Sequence, residues 1–189
     1  IVDAQHLGTH YDRIELAEPC GTPGDPCVAD WAGMMVTKPE AVWLDGEGDP
    51  LVVVPTLEFD HTHPANVAGV RIVTSDGGAP HFEVQWRAPS ETDPLAKAVF
   101  RSQPTLPRVG VNPSGERVIW IVDIGSSPVS GHGLLFEIRA EDGAILAMTP
   151  LAGSGQRYAR PLAWKDRVFA ISCASDSGPG TVEGYRVTR

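Results

Sequence analysis

The stretch "FDHTHP" at 59–64 brings Asp60, His61 and His63 together. In an extended segment alternate side chains project to the same side, so the two imidazoles fall on one side. Two imidazoles with a carboxylate are the start of a site for a transition metal such as zinc or copper. A further strong ligand must come from elsewhere, and His6, His10 and His81 are the histidines at hand. The plainer reading is a solvated loop ahead of Pro64. A second acidic group lies in "WLDGEGDPLVVVP" at 43–55, where Asp45, Glu47 and Asp49 occupy alternate positions. Oxygen ligands at alternate positions suit a hard cation such as Ca²⁺. The same residues also read as an ordinary acidic hairpin turn.

The remaining candidates are sparser. Cys20 and Cys27 flank the turn-forming hexapeptide "GTPGDP", which brings their ends together and is read as closing a small disulfide loop. That disulfide implies an oxidising compartment, secreted or periplasmic. Cys173, in the apolar run "VFAISC", is read as a buried strand residue. Trp31, beside the loop, is the candidate exposed contact, whereas Trp86, Trp120 and Trp164 fall in or next to strands and are read as packing. His132, between two glycines at a strand entry, lines either a central channel or a surface loop. No nucleophile elbow, phosphate loop, dinucleotide fingerprint or haem-attachment motif is present.

Composition narrows the function classes. A formal charge of -9 with no Lys/Arg cluster argues against nucleic acid, which needs a basic footprint. No stretch reaches the roughly 20 apolar residues of a membrane-spanning helix. The opening "IVDAQHLGTH" has neither an initiator Met nor a signal-peptide pattern, and reads as a processed chain or a piece of a longer one.

The elements that position these residues are strands. Gly (20) and Pro (17) are abundant, as in a chain with many turns. One short helical pattern, "ETDPLAKAVFRS" at 91–102, is the exception, with Pro94 suited to a first helical position. Elsewhere β-branched runs alternate with turn signals: 51–59, 69–76, 81–88, 117–125, 134–140, 144–151, 167–175 and 181–188. "SDGG", "NPSGE", "EDGA" and "AWKDR" read as tight hairpins, with Gly or Asp supplying positive φ. The runs fall into about three units, at 42–88, 109–151 and 160–189, after an N-terminal extension at 1–41 that holds the disulfide loop. In each unit a strand, a turn and an apolar strand precede a third strand opening on glycine, at Gly69, Gly133 and Gly180. Repeats of this length with four strands each are the pattern of propeller blades. The third unit, ending "GTVEGYRVTR", lacks a fourth strand. Three blades do not close a ring, since propellers need about four or more.

The half-unit "GLLFEIRAEDGAILAMTP" at 133–150 resembles the second half of a blade in the quinoprotein-like (PQQ-dehydrogenase-like) β-propellers. Those blades read as a strand ending Ala-Leu-Asp, a turn with Thr-Gly and a strand ending in Trp. Ala147 stands near the position of that blade-docking Trp. "RPLAWKDRVFAIS" looks like the first half of such a blade, so the resemblance spans roughly 42–189 at the level of pattern. None of the family's cofactor contacts can be placed here, so quinone binding is not implied. Residues 43–55 also look like the calcium hairpin of FG-GAP or integrin-type repeats, which would give Asp45, Glu47 and Asp49 to Ca²⁺, with Trp43 standing where the first Asp is expected.

The fold expected is therefore all-β: propeller-like, four-stranded antiparallel blades in an incomplete ring. The function expected is that of a non-catalytic subunit or fragment. It would assemble with another polypeptide, or with a missing part of the propeller, and bind a partner through its loops. Two alternatives differ in class: a fragment of a secreted quinoprotein-like or metal-dependent propeller enzyme, and a Ca²⁺-binding adhesion-type module. The last strand, with Arg186 and Arg189 on it, is expected to gain a neighbour, either "YDRIELAE" at 11–18 or a strand of another chain.

Overall fold

The structure, a computed structural model, describes residues 35–36, 39–44, 50–57, 67–73, 79–88, 105–123, 132–155, 159–173 and 180–188. All regular elements among them are β-strands, and none is a helix able to cross a membrane. The candidate helix at 91–102 lies outside the described residues.

Three antiparallel sheets form in chain order. The first holds β1 (Met35–Val36), β2 (Glu40–Val42), β3 (Leu51–Leu57), β4 (Val67–Val73) and β5 (His81–Ala88). The short strands β1 and β2 lie end to end along one edge of β3, so the sheet is four strands wide. The second follows the order β6 (Arg108–Val111), β7 (Arg117–Asp123), β8 (Leu134–Arg139), β9 (Ile145–Pro150). The third is built on β12 (Arg167–Cys173). Its strands β10 (Ser154–Gly155) and β11 (Leu162–Trp164) share one edge of β12, and β13 (Gly180–Arg186) pairs with the other. This sheet is three strands wide, and β13 has β12 as its one neighbour among the described residues.

The strand expected at 81–88 matches β5, and the others agree to within a few residues at their ends. Three details differ. The glycine-rich "GSGQR" at 153–157, outside every expected strand, contains β10, because Ser154 and Gly155 pair with Cys173 and Ser172. β2 ends at Val42, leaving Trp43 half exposed beyond it. Gly133 and Gly180 do mark strand starts, but Gly69 sits inside β4 opposite Trp86. A Cβ there would lie 2.3 Å from the Trp86 ring, so the close approach of the indole demands glycine.

The turns follow from their residues. Asn112 Oδ1 accepts from the Ser114 and Glu116 amides at 3.1 and 3.0 Å, and Gly115 takes φ 85°, which closes "NPSGE". Gly143 at φ 74° serves "EDGA" in the same way. In "AWKDR" the positive φ falls on Lys165 (54°) rather than on Asp166, whose carboxylate is turned to Arg186. The Lys165 ammonium lies 4.6 Å from the centroid of the Trp164 ring.

The sheets stack face to face. Leu51, Val53 and Val67 of the first pack with Ile119, Ile121, Phe136 and Ile138 of the second. The other face of the second sheet, with Val118, Trp120, Val122 and Leu135, packs on Val168 and Ala170 of the third. Trp86 reaches across the first junction, donating Nε1–H to Ala140 O at 2.9 Å. On one side of the stack the edge strands converge, with β6 touching both β2 and β11. There Arg160 of the third unit approaches Glu40 of the first, at 3.6 Å.

Candidate docking surface

Register relates the three sheets residue by residue. The first and second sheets share a bulge between their third and fourth strands, between Gly69 and Val70 and between Glu137 and Ile138, each one residue before an arginine. Aligning on that arginine gives three matched rows across the two central strands. One row is Leu51↔Arg71, Val118↔Arg139 and Arg167↔Arg186. The next is Val53↔Gly69, Trp120↔Glu137 and Phe169↔Gly184. The last is Pro55↔Val67, Val122↔Leu135 and Ile171↔Val182. In the first two sheets the apolar residues of these rows, Leu51, Val53 and Val67 and then Val118, Trp120, Val122 and Leu135, face the next sheet. In the third they face outward, since Val168 and Ala170 take the inner side.

Exposure follows from that position. Val67 and Leu135 are 0% and 5% exposed, whereas Val182 at the matching position is 68% exposed. Val122 is 2% exposed and Ile171 is 40% exposed. Leu162, opposite Phe169 on β11, and Trp164 extend the apolar area and are exposed as well. At one end of this face Arg167 stands opposite Arg186, a like-charge cross-strand pair that disfavours the bare sheet. One carboxylate serves both: Asp166 lies 3.1 Å from Arg186 Nε and 4.0 Å from Arg167 Nε. At the matching position of the second sheet, Arg139 has two carboxylates, Glu116 at 3.0 Å and Asp142 at 2.9 Å.

Polar bonds anchor the third sheet's inner side. Glu183 accepts from Ser172 Oγ–H, from Tyr185 Oη–H at 2.6 Å and from the Ala152 amide at 2.9 Å, the last joining β13 to the segment after β9. Tyr185 also approaches Pro150 O at 3.4 Å. Burial alone pushes the Glu183 carboxyl up. The bonds from Ser172, Tyr185 and Ala152, with the nearby His132, outweigh it and hold the group below the usual carboxylate range. Burial and the same carboxylate push the Tyr185 phenol well above its ordinary range. None of these polar residues was singled out from the sequence except His132, because Ser172, Glu183 and Tyr185 meet only through register.

Most of the residues with candidate chemistry are not among those described. Asp60, His61 and His63, the acidic Asp45, Glu47 and Asp49, Cys20, Cys27, Trp31, His6, His10 and the segment 11–18 lie outside the described residues. Of the other histidines, His81 pairs with Glu83 on the surface at 3.3 Å, and His132 Nδ1 lies 3.2 Å from Leu151 O. Cys173 is buried on β12, as its apolar run suggests, and Trp86 and Trp120 are buried in the packing. Trp164 is exposed instead, because it lies on the uncovered face. Among the described residues no His, Cys, Asp and Glu side chains cluster as a metal site. No protein-family model, curated protein or solved structure matches the chain.

Proposed function

We propose that the chain is a non-catalytic, propeller-type repeat protein that assembles with further β-sheet chain, and that the outer face of its third sheet and the edge of β13 are the contact. The observation that carries this reading is the exposure of Ile171 and Val182, at positions whose counterparts in the other two sheets are buried by the next sheet. Full burial of a Leu, Ile or Val side chain contributes roughly 1.5–3 kcal/mol, so a covering sheet has a strong apolar drive at this face. The edge of β13 that has no neighbour among the described residues adds a row of backbone donors and acceptors for a fourth strand. The propeller reading has two supports. The edge strands β2, β6 and β11 converge on one side, as blades do around an axis. Trp86, at the bulge position that Ala147 holds in the second sheet, bridges one sheet to the next.

Sedimentation of the native particle tests the reading. The expected mass exceeds the 20.2 kDa of one chain, and Val182→Lys with Ile171→Lys is expected to return the particle to that mass with its secondary structure intact. A native particle of one chain alone, unchanged by these substitutions, would refute the assembly.

A further inference from the structure

A cavity of about 400 Å³ opens between the first and second sheets, with Arg71, Gln85, Arg117, Arg139 and Glu141 in its lining. Arg71, Arg139 and Arg186 hold the same register position in their sheets. Arg139 is paired with Glu116 of the turn before β7, and Arg186 with Asp166 of the turn before β12. Arg71 differs: its buried Nε has no hydrogen-bond partner among the described residues and it lines the cavity, while the turn before β3, at 45–49, lies outside the described residues. A buried, unsatisfied donor of this kind is costly, and a ligand that pairs with it recovers the cost. Arg117 spends its Nε–H on Leu44 O at 3.1 Å and has no carboxylate partner among the described residues. Gln85 is the extra residue of the β5 bulge, a device that re-aims a side chain.

We propose that this cavity binds a small hydroxy-carboxylate, its carboxylate taken by Arg71 and its hydroxyl groups by Gln85 and Glu141. A guanidinium matches a carboxylate in a planar, two-point fit that an ammonium cannot reproduce. Arg139 is already neutralised by Glu116 and Asp142. With Glu141, the three guanidinium groups of Arg71, Arg117 and Arg139 meet three carboxylates, so the site carries no surplus positive charge to hold a phosphate dianion, and a monoanion is the better match.

The test is an NMR titration of the folded chain at fixed ionic strength, with glucuronate, phosphate and glucose as separate probes. Glucuronate is expected to give a saturable shift at the Arg71 and Gln85 side-chain resonances, phosphate a weaker one and glucose none. Arg71→Met is expected to weaken glucuronate binding by roughly tenfold or more, the loss of a charge-assisted pair. Arg71→Lys, which keeps the charge and guards against loss of fold, is expected to weaken it as well. Arg186→Met makes the same change of charge at the matching position of the third sheet and is expected to leave binding unaltered. Absence of a saturable glucuronate shift, tighter binding of phosphate, or equal loss in Arg186→Met would overturn the proposal.

Discussion

The second and third sheets are built from nearly the same strand pattern, yet one is covered on both faces and the other on one. β7 reads "RVIWIVD" and β12 reads "RVFAISC". Both alternate, with one set of side chains turned back to the preceding sheet and the other turned forward. In β7 both sets are buried: Ile119 and Ile121 against the first sheet, Val118, Trp120 and Val122 against the third. In β12 the backward set, Val168 and Ala170, is buried, while the forward set includes the exposed Ile171. A strand covered on both faces reads as continuous apolar sequence. The partly apolar forward row of the third sheet is the residue pattern of a covered face, present where the described structure leaves it open.

The sharpest way to break the comparison is to cut into each sheet's packing. Phe136→Ala, in the centre of the second sheet, is expected to cost about 3–5 kcal/mol in denaturant unfolding, the range for deleting a large buried side chain. A loss below 1 kcal/mol there would mean that the first two sheets are not packed as described. Glu183→Leu should come next. It removes the acceptor shared by Ser172, Tyr185 and Ala152, and roughly 1–3 kcal/mol of loss is expected, concentrated in the third sheet. Amide exchange resolved by strand would show whether β12 and β13 loosen before β7 and β8. Val182→Thr, on the open face, is expected to change the stability of the single chain by less than about 0.5 kcal/mol, as for a surface site. A larger loss in the isolated chain would show that this face is already covered.

Acid and alkali sharpen the same contrast. The folded Glu183 carboxyl is held below its ordinary value, so its contribution is present above about pH 4.5 and is lost as pH falls through the depressed value. The Tyr185 phenol is raised, so its contribution is present below about pH 10 and is lost as pH rises beyond that. The third sheet is therefore expected to loosen at both extremes, by amide exchange, before the second. Glu183→Gln is expected to remove the acid limb.

Much of the fold was legible in sequence, because strands betray themselves through alternation and turns through Gly, Asn and Asp. β5, β7, β8 and β12 fall where their apolar runs place them. What stayed hidden depends on pairing over distance. Ser154 and Gly155 carry no strand signal of their own and become β10 because Cys173 and Ser172 offer an edge. Gly69 reads like Gly133 and Gly180, but its role is set by Trp86, which lies across from it on β5. The equivalence of Arg71, Arg139 and Arg186 lies in pairing, since each sits in the first pair of its sheet's central ladder, and for Arg71 and Arg139 the shared bulge falls one residue before it. The candidate surface was legible only as an unfinished unit. That its apolar row is Ile171 and Val182 follows from which face of β12 the second sheet takes.

The most direct test of the assembly is hydrogen exchange at the β13 amides that point away from β12, measured in the native particle and in the isolated chain. Protection of these amides in the particle, approaching that of β8 between its two neighbours, with rapid exchange in the isolated chain, is the expected result. Equally rapid exchange in both, in a particle of 20.2 kDa, would contradict it.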